Sequence, residues 1–263
     1  MKYIKLIIEY DGTNYQGWQT QRSGLTVQDI MCKTISGITG EEIKLLSASR
    51  TDAGVHALGQ VAVFMTDSRL QSDTLKRALN AKLPKDMRIV ETEELASEFH
   101  PRYRAVKKSY FYLIEKTQKQ SVFLHRYAWR IPITLDLAAM EKAAALFPGE
   151  HDFSAFRAAG CGAKTTVRTI HSISVSGYDH IDFMTTKIQG DFIKIHIEAN
   201  AFLRHMVRNI VGTLVDVGKG KTYPEEVLNI IKSCDRKMAG PTAPAKGLFL
   251  EKVFYPVREP DKV

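Results

Sequence analysis

The most informative stretch of the sequence is Leu45-Leu46-Ser47-Ala48-Ser49-Arg50-Thr51-Asp52-Ala53-Gly54-Val55-His56-Ala57. It gathers a cation, a hydroxyl, a carboxylate, a glycine and a histidine between two apolar segments. The segments on either side, residues 43–47 and 60–66, are predicted strands, so the polar residues fall in a loop held by a sheet, where chemistry is commonly presented. We expect Asp52 to be the reactive group. The structural alternative is an Asx-type turn in which Asp52 bonds nearby backbone and Gly54 supplies a positive φ.

Length and composition indicate a folded protein with a charged partner. The chain has 263 residues, 44% of them hydrophobic, enough for one large domain or two of about 130 residues. The formal net charge of +8 favours a polyanionic partner. Three widely spaced cysteines suggest neither a disulfide framework nor a thiolate zinc site, which fits a reducing cytosol. We expect no export signal and no membrane span, because no apolar run approaches about 20 residues.

The order of predicted elements indicates the fold class. In the first half, strands are predicted over residues 3–10, 43–47, 60–66 and 88–94, with helices over 27–38 and from 73. In the second half, strands are predicted over 109–115, 168–175, 181–188, 192–199 and 249–255, with helices over 136–146, 203–217 and 224–233. Strand, helix, strand, strand, helix, strand is the ferredoxin-like order. We therefore predict an α+β protein of two ferredoxin-like (RRM-like) halves, residues 1–105 and 106–263. The halves would be related by pseudo-twofold symmetry, with mainly antiparallel sheet, helices on one face and an active-site cleft between them.

Two further stretches have compositions suited to RNA. Residues 99–112 mix four cations with five aromatic residues before and within a strand, as expected where bases stack on rings and cations hold phosphates. Tyr110 and Tyr112 would share one face of that strand and Phe111 the other. The alternative is a basic edge strand with a core aromatic residue. Trp18, in an earlier polar and aromatic stretch, suits either RNA contact or the core.

An apolar helix near the end of the chain carries two arginines four residues apart, Arg204 and Arg208. An arginine on such a helix needs a carboxylate or a ligand anion, and Asp52 would serve. Metal chemistry is poorly supported, because the eight histidines are scattered without H-E-x-x-H spacing. No phosphate-binding loop and no G-x-S-x-G nucleophile motif is found either.

Several motifs together resemble one family, the TruA-type tRNA pseudouridine synthases. They are Arg50-Thr51-Asp52-Ala53-Gly54-Val55-His56-Ala57, the Lys-x-Tyr-x-Tyr from Lys108 to Tyr112, His205-Met206-Val207-Arg208-Asn209-Ile210-Val211-Gly212, and Gly247-Leu248-Phe249-Leu250. The agreement runs from Glu9 to Pro256 in the family's order. The chain has Ser49 where the family usually has glycine and Pro101 where it usually has alanine. It has Arg204 at a position where the family varies. None of these three residues is a catalytic group.

The resemblance implies an isomerase and a set of roles. Asp52 would be the catalytic aspartate, Tyr110 would stack on the target base and Arg208 would pair with Asp52. Arg50 would help to occupy the space of the flipped nucleotide, and Leu248 would line the same pocket. The tRNA contacts it implies are Phe99, His100, Arg102, Tyr103, Lys108 and Cys161. It further implies a cytoplasmic homodimer without cofactor or metal that isomerises uridines thirty-eight, thirty-nine or forty of the tRNA anticodon stem-loop.

Two other functions fit the same composition. One is an RNA-binding module or chaperone that keeps the fold without catalysis, and the other is a hydrolase of nucleosides or RNA. The presence of Asp52, Tyr110 and Arg208 together argues against the first. Sequence does not choose between attack of Asp52 on the sugar, stabilisation of a sugar cation and a glycal route. His56 is a candidate for proton transfer, with a structural role as the alternative.

Overall fold

The computed structural model describes residues 1–256. Its strands are β1 (Lys2–Tyr10), β2 (Leu46–Ser47), β3 (His56–Thr66), β4 (Met87–Leu95), β5 (Lys107–Glu115), β6 (Trp129–Arg130), β7 (Gly149–Asp152), β8 (Val167–Phe183), β9 (Thr186–Ala199) and β10 (Leu248–Phe254). Its helices are α1 (Val27–Thr39), α2 (Ser72–Lys82), α3 (Leu137–Ala144), α4 (Met206–Gly218) and α5 (Glu226–Ser233). The chain divides into a first unit, Met1–Lys108 with the chain from Leu250 onward, and a second, Ser109–Phe249. Mixed helices and mainly antiparallel strands confirm the predicted α+β class.

The first unit is a sheet in the strand order β4-β1-β3-β10, with the short β2 also paired to β3. β1 runs antiparallel to both neighbours, and Leu6 lies opposite Ala62 on β3 and Thr92 on β4. Alternate residues of β1, among them Ile4, Leu6 and Ile8, are fully buried, as the two-residue period of a strand requires when one face meets the core. Between β2 and β3 lies the loop that carries Asp52.

Helix α1 begins and ends where its sequence predicts. The Thr26 hydroxyl caps the helix by accepting a hydrogen bond from the Asp29 N–H at 3.2 Å, and Gly40 ends it at φ 75°. The strands beside the Asp52 loop differ from the prediction, because β2 keeps only Leu46–Ser47 and β3 begins four residues early, at His56. The loop is therefore tied directly to a long strand.

The second unit holds the strands β5-β9-β8-β7 in that order. The prediction of a separate strand over residues 181–188 is wrong, because these residues span the end of β8, a turn and the start of β9. Phe183 pairs with Thr186 across the turn, and Met184 adopts φ 54°. A left-handed methionine is uncommon and gives no glycine or asparagine signal in the sequence, so the hairpin was read as a strand.

The helices of the second unit cover its sheet. α3 packs against α4 and against β8, and α4 is buried on most of its surface. The predicted helix from residue 203 begins only at Met206, because His205 adopts a left-handed φ of 62°. No helix within residues 1–256 is long and apolar enough to cross a membrane.

Candidate active site

Asp52 lies in a tight turn at the start of β3. The Val55 N–H donates to the Asp52 carbonyl at 3.1 Å, and Gly54 adopts φ 76°, a conformation that glycine reaches without strain. The Gly54 N–H donates to the Tyr15 carbonyl at 3.3 Å. Asp52 itself is half-buried. A turn is therefore present with Gly54 at positive φ, as the structural alternative required, but the hydrogen bond that closes it is accepted by the Asp52 main chain.

Hydrogen bonds hold several of the residues that precede Asp52 in the chain. The Ala48 N–H donates to the Val61 carbonyl at 2.8 Å. Ser49 exchanges two main-chain hydrogen bonds with the side-chain amide of Gln60, at 3.2 Å and 2.8 Å. The Thr51 and Tyr10 hydroxyls lie 2.7 Å apart in a buried contact. Because each contact fixes the main chain or a buried side chain, little freedom is left to the segment before the carboxylate.

A second segment, between β1 and α1, packs under the same turn. The Trp18 N–H donates to the Thr51 carbonyl at 3.1 Å. A Cβ at Gly17, whose φ is +86°, would lie 2.5 Å from that carbonyl oxygen, and one at Gly12 would lie 2.0 Å from the Val55 carbonyl oxygen. Both positions therefore require glycine for close approach. Trp18 is fully buried, so it is a core residue rather than a platform for RNA bases.

His56 is buried, at 1% exposure, and contacts the same segment. Its Nδ1 accepts a hydrogen bond from the Gly12 N–H at 3.0 Å and lies 3.1 Å from a carboxylate oxygen of Asp11. The Nδ1 atom thus lies within hydrogen-bond distance of both the Gly12 N–H and the Asp11 carboxylate. This geometry gives His56 a structural task, which is to hold Gly12 against the turn.

Lys108 is the other buried polar group beside this loop. Only 8% of it is exposed, and its Nζ donates to the Ala48 carbonyl at 2.5 Å. Burial, assisted by the positive charge of Arg102, lowers the pKa of Lys108 to about 8. The resemblance predicts a tRNA contact at Lys108, and in the structure its ammonium bonds to the main chain of the segment that precedes Asp52.

Tyr110 lies in the second unit, on the face of β5 that meets the core. It is 7% exposed, and its ring meets Phe202 edge-on at 5.0 Å. Tyr112, on the same face, is fully buried and donates its hydroxyl to the Pro244 carbonyl at 2.8 Å. Phe111 points to the other face and stacks on Phe249 at 4.6 Å. The predicted division of the three rings between two faces is confirmed.

Arg208 lies in the first turn of α4 and is tied to the segment before β10. Its Nε donates to the Ala243 carbonyl at 2.7 Å, and the Ala243 N–H donates to the Arg208 carbonyl at 3.1 Å. Burial raises the pKa of Tyr112, and the positive charge of Arg208 partly opposes that rise. The second unit thus holds Arg208 at a fixed place near Tyr112.

Comparison with known proteins identifies the family. A family model described as tRNA pseudouridine synthase matches residues 6–104 and 143–256. The chain belongs to the tRNA pseudouridine synthase family. A relative from Acetivibrio thermocellus, named tRNA pseudouridine synthase A, is 49% identical over 97% of this chain and 100% of its own length. Relatives of the same name from Thermoanaerobacter sp. and Thermodesulfovibrio yellowstonii are 45% and 44% identical, with the same coverage. Pseudouridine synthases are isomerases, so the predicted family and enzyme class are confirmed.

The other residues that the family resemblance singles out differ in exposure. Arg50 is exposed and Leu248 is buried. In the first unit, the His100 and Tyr103 rings lie 4.2 Å apart, and the Arg102 guanidinium lies 6.0 Å from the Tyr103 ring centroid. Tyr103 is 77% exposed, which makes its ring available to a partner.

Two more of these residues are partly covered by neighbours. The Phe99 ring packs edge-on against Tyr255 at 5.0 Å, and the Tyr255 hydroxyl donates to the Pro101 carbonyl at 2.9 Å. In the second unit, Cys161 is half-buried and follows Gly160, which adopts φ 70°. The segment from Phe99 to Tyr103 is therefore held by Tyr255 at Phe99 and at Pro101.

Sequence reasoning missed the polar residues that hold these groups. Gln60 is fully buried inside an otherwise apolar strand, and Asn209 is fully buried inside the apolar helix α4. The Asn209 side-chain oxygen accepts from Arg236 at 3.1 Å and from Thr242 at 2.6 Å. A single amide within an apolar run was the available signal, because buried polar groups need partners.

Proposed function

We propose that this protein converts uridine to pseudouridine in the anticodon arm of tRNA, at positions thirty-eight, thirty-nine or forty, with Asp52 as the catalytic carboxylate. The proposal is supported by the turn that carries Asp52 in this chain, which belongs to the tRNA pseudouridine synthase family. The residues before Asp52 are fixed through Gln60, Tyr10 and Lys108, so the segment that leads to the carboxylate is ordered before substrate binds. Preorganised geometry is what a reaction without redox chemistry requires of the protein.

The reaction exchanges one bond for another. The N1–C1′ bond breaks, the uracil turns while bound, and C5 bonds to C1′. C5 then loses its proton and N1 gains one, so atoms and charge balance without a redox partner. The Asp52 carboxylate would attack C1′, stabilise positive charge there, or remove the C2′ proton to begin a glycal route. Each route needs an ionised carboxylate close to the sugar.

Tyr110 and Arg208 complete the proposed catalytic set. Tyr110 would stack on the flipped uracil and offset part of the few kcal/mol that unstacking costs. Arg208 would pair with the Asp52 carboxylate and keep it ionised. In support, Phe202 packs edge-on against the Tyr110 ring, and the Ala243 carbonyl takes the Nε of Arg208. Each side chain is thus supported within its own unit, as a catalytic group must be.

Substrate contacts are proposed from the same family resemblance. Arg50 and Leu248 would contact the flipped nucleotide. The proposed tRNA contacts are Phe99, His100, Arg102, Tyr103, Lys108 and Cys161. The net charge of +8 favours a polyanion. We further propose a homodimer that works in the cytoplasm and needs no cofactor.

The test uses the purified protein and an unmodified tRNA transcript. Pseudouridine is mapped by carbodiimide-block primer extension, and a second transcript carries cytidine at the three target positions. We expect product in the first transcript and none in the anticodon arm of the second. Asp52→Ala should abolish product while tRNA binding changes little, and Asp67→Ala, at an exposed carboxylate, should behave as wild type.

Three results would count against the proposal. Free uracil or shortened RNA would indicate a hydrolase. Wild-type protein that binds the tRNA but forms no pseudouridine would indicate an RNA-binding module. Wild-type turnover by Asp52→Ala would remove the central assignment.

A further inference from the structure

Two long polar side chains, Gln60 and Lys108, are buried beside the catalytic loop and end on neighbouring main-chain groups. Gln60 is fully buried and Lys108 is 8% exposed. The Gln60 amide satisfies both the N–H and the carbonyl of Ser49, at 3.2 Å and 2.8 Å. The Lys108 ammonium satisfies the carbonyl of Ala48 at 2.5 Å. Polar groups are costly to bury, so their placement needs a reason.

The two main-chain residues that they hold lie just before Asp52 in sequence. The Ala48 N–H is already bonded to the Val61 carbonyl on β3, so Lys108 fixes the remaining main-chain polar group of Ala48. Gln60 then fixes both polar groups of Ser49. Two peptide planes in succession are thereby held, and a chain with fixed peptide planes enters the Asp52 turn in one direction.

We propose that Gln60 and Lys108 are positioning residues that hold Ala48 and Ser49 and so set the place of the Asp52 carboxylate. This inference rests on the proposed catalytic role of Asp52. A displacement of about 1 Å at a reacting group can cost about a hundredfold in rate. Loss of either side chain should therefore slow the chemical step. It should leave tRNA affinity nearly unchanged, because both side chains are buried and bond to main-chain groups of Ala48 and Ser49.

The proposal gives Lys108 a task that differs measurably from the tRNA contact implied by the family resemblance. A lysine that binds phosphate contributes to affinity and to its salt dependence. A lysine that positions Asp52 contributes to the rate of the bound complex. The dissociation constant and the single-turnover rate at saturating enzyme therefore separate the two tasks.

The experiment compares Gln60→Met and Lys108→Met with two matched controls. Asn80 makes the same pair of amide hydrogen bonds with the main chain of Ile89, at 2.9 Å and 2.8 Å. Lys2 donates to the Leu70 carbonyl at 2.8 Å. Asn80→Leu and Lys2→Met thus remove contacts of the same kind far from Asp52 in the chain, and Lys2→Met also removes an ion pair with Glu94. Single-turnover rates and filter-binding Kd values are measured on one tRNA transcript, at a temperature where circular dichroism shows every variant folded.

We expect the rate to fall at least tenfold for Gln60→Met and Lys108→Met, with Kd within about twofold of wild type. The two control variants should keep rates within about twofold. Lys108→Arg, which retains a charged donor, should recover part of the rate lost in Lys108→Met. If Gln60→Met does not fold, Gln60→Glu replaces it, because that variant keeps the acceptor and loses the donor to the Ser49 carbonyl.

Several outcomes would overturn the positioning role. One is a raised Kd with an unchanged single-turnover rate, which would make Lys108 a tRNA contact. Another is a loss of rate in Asn80→Leu and Lys2→Met equal to that in the test variants. Wild-type rates for the test variants beside an inactive Asp52→Ala would refute this inference alone. An active Asp52→Ala would refute the proposed function instead.

Discussion

Replacement of Lys108 by methionine should change how the stability of the protein depends on pH. The ammonium is buried and its pKa falls from 10.5 to about 8, through burial first and the charge of Arg102 second. Methionine keeps the apolar stem and has no proton to release. The difference in free energy of unfolding between wild type and Lys108→Met therefore isolates this one titration from all others.

The sign follows from proton binding in the two states. Below about pH 8 the lysine is charged in both states, and the folded state bears the full cost of the burial. Between about pH 8 and about pH 10.5 the unfolded chain holds the proton that the folded protein has released. Unfolding then takes up a proton, so the free energy of unfolding of the wild type rises with pH relative to the variant.

The gap between the two pKa values corresponds to about 3 kcal/mol in total. Of this, about 2 kcal/mol should be recovered between about pH 7 and about pH 9.5. Urea unfolding of both proteins, followed by far-ultraviolet circular dichroism at several pH values, measures the difference. A difference that stays flat would refute the reasoning. A fall with pH would mean that the Ala48 carbonyl stabilises the ammonium by more than burial costs.

Other substitutions test the packing of the two units by thermal or urea unfolding. Gly212→Ala should destabilise by about 3 kcal/mol, because its Cβ would lie 1.6 Å from the Pro241 carbonyl oxygen. Gly37→Ala, whose new Cβ would meet no atom within 4 Å among residues 1–256 outside its chain neighbours and the α1 backbone, should stabilise α1 by up to about 1 kcal/mol. Thr26→Ala should lose the α1 cap and about 1 kcal/mol. Arg236→Met should cost about 2 kcal/mol, because the Ala239 carbonyl and the side-chain oxygen of Asn209 each lose one donor. Equal stabilities for Gly212→Ala and Gly37→Ala would contradict the packing described for α4.

The sequence could predict the ends of a helix where capping residues within a few positions determine them. The limits of α1 follow from Thr26 and Gly40, whose capping chemistry acts within a few residues. The β8–β9 hairpin was misread because Met184 gives no turn signal, and its left-handed conformation is imposed by the pairing of two long strands. The early start of β3 has a similar cause, because the residues before Gln60 follow the ladder with β1, where Tyr10 pairs with Ala57.

Some residues of the candidate site could also be predicted from the sequence, and others could not. Asp52 could be selected from the sequence because a polar cluster between two apolar segments is visible without a structure, and the family motif supplied its role. Gln60 and Arg236 could not, because their partners, Ser49 and Asn209, are defined only when distant segments meet. A buried amide or guanidinium bonded to the main chain leaves no local pattern, and only the rule that buried polar groups find partners points to it.

The serine at position 49 tests whether the Asp52 loop depends on its main chain or on its side chains. The family usually has glycine there, yet Ser49 is not among the residues with positive φ, so its backbone conformation does not require glycine. Its hydroxyl oxygen is buried and has no hydrogen-bond partner among the described residues, whereas both its main-chain groups are held by Gln60.

Ser49→Gly should therefore keep the single-turnover rate within about twofold of wild type. The backbone entropy that glycine adds to the unfolded chain, up to about 1 kcal/mol, is offset in part by removal of an unpaired buried hydroxyl. A tenfold slower Ser49→Gly with unchanged Kd would show that the serine side chain, and not the Gln60 contact alone, sets the position of the Asp52 carboxylate.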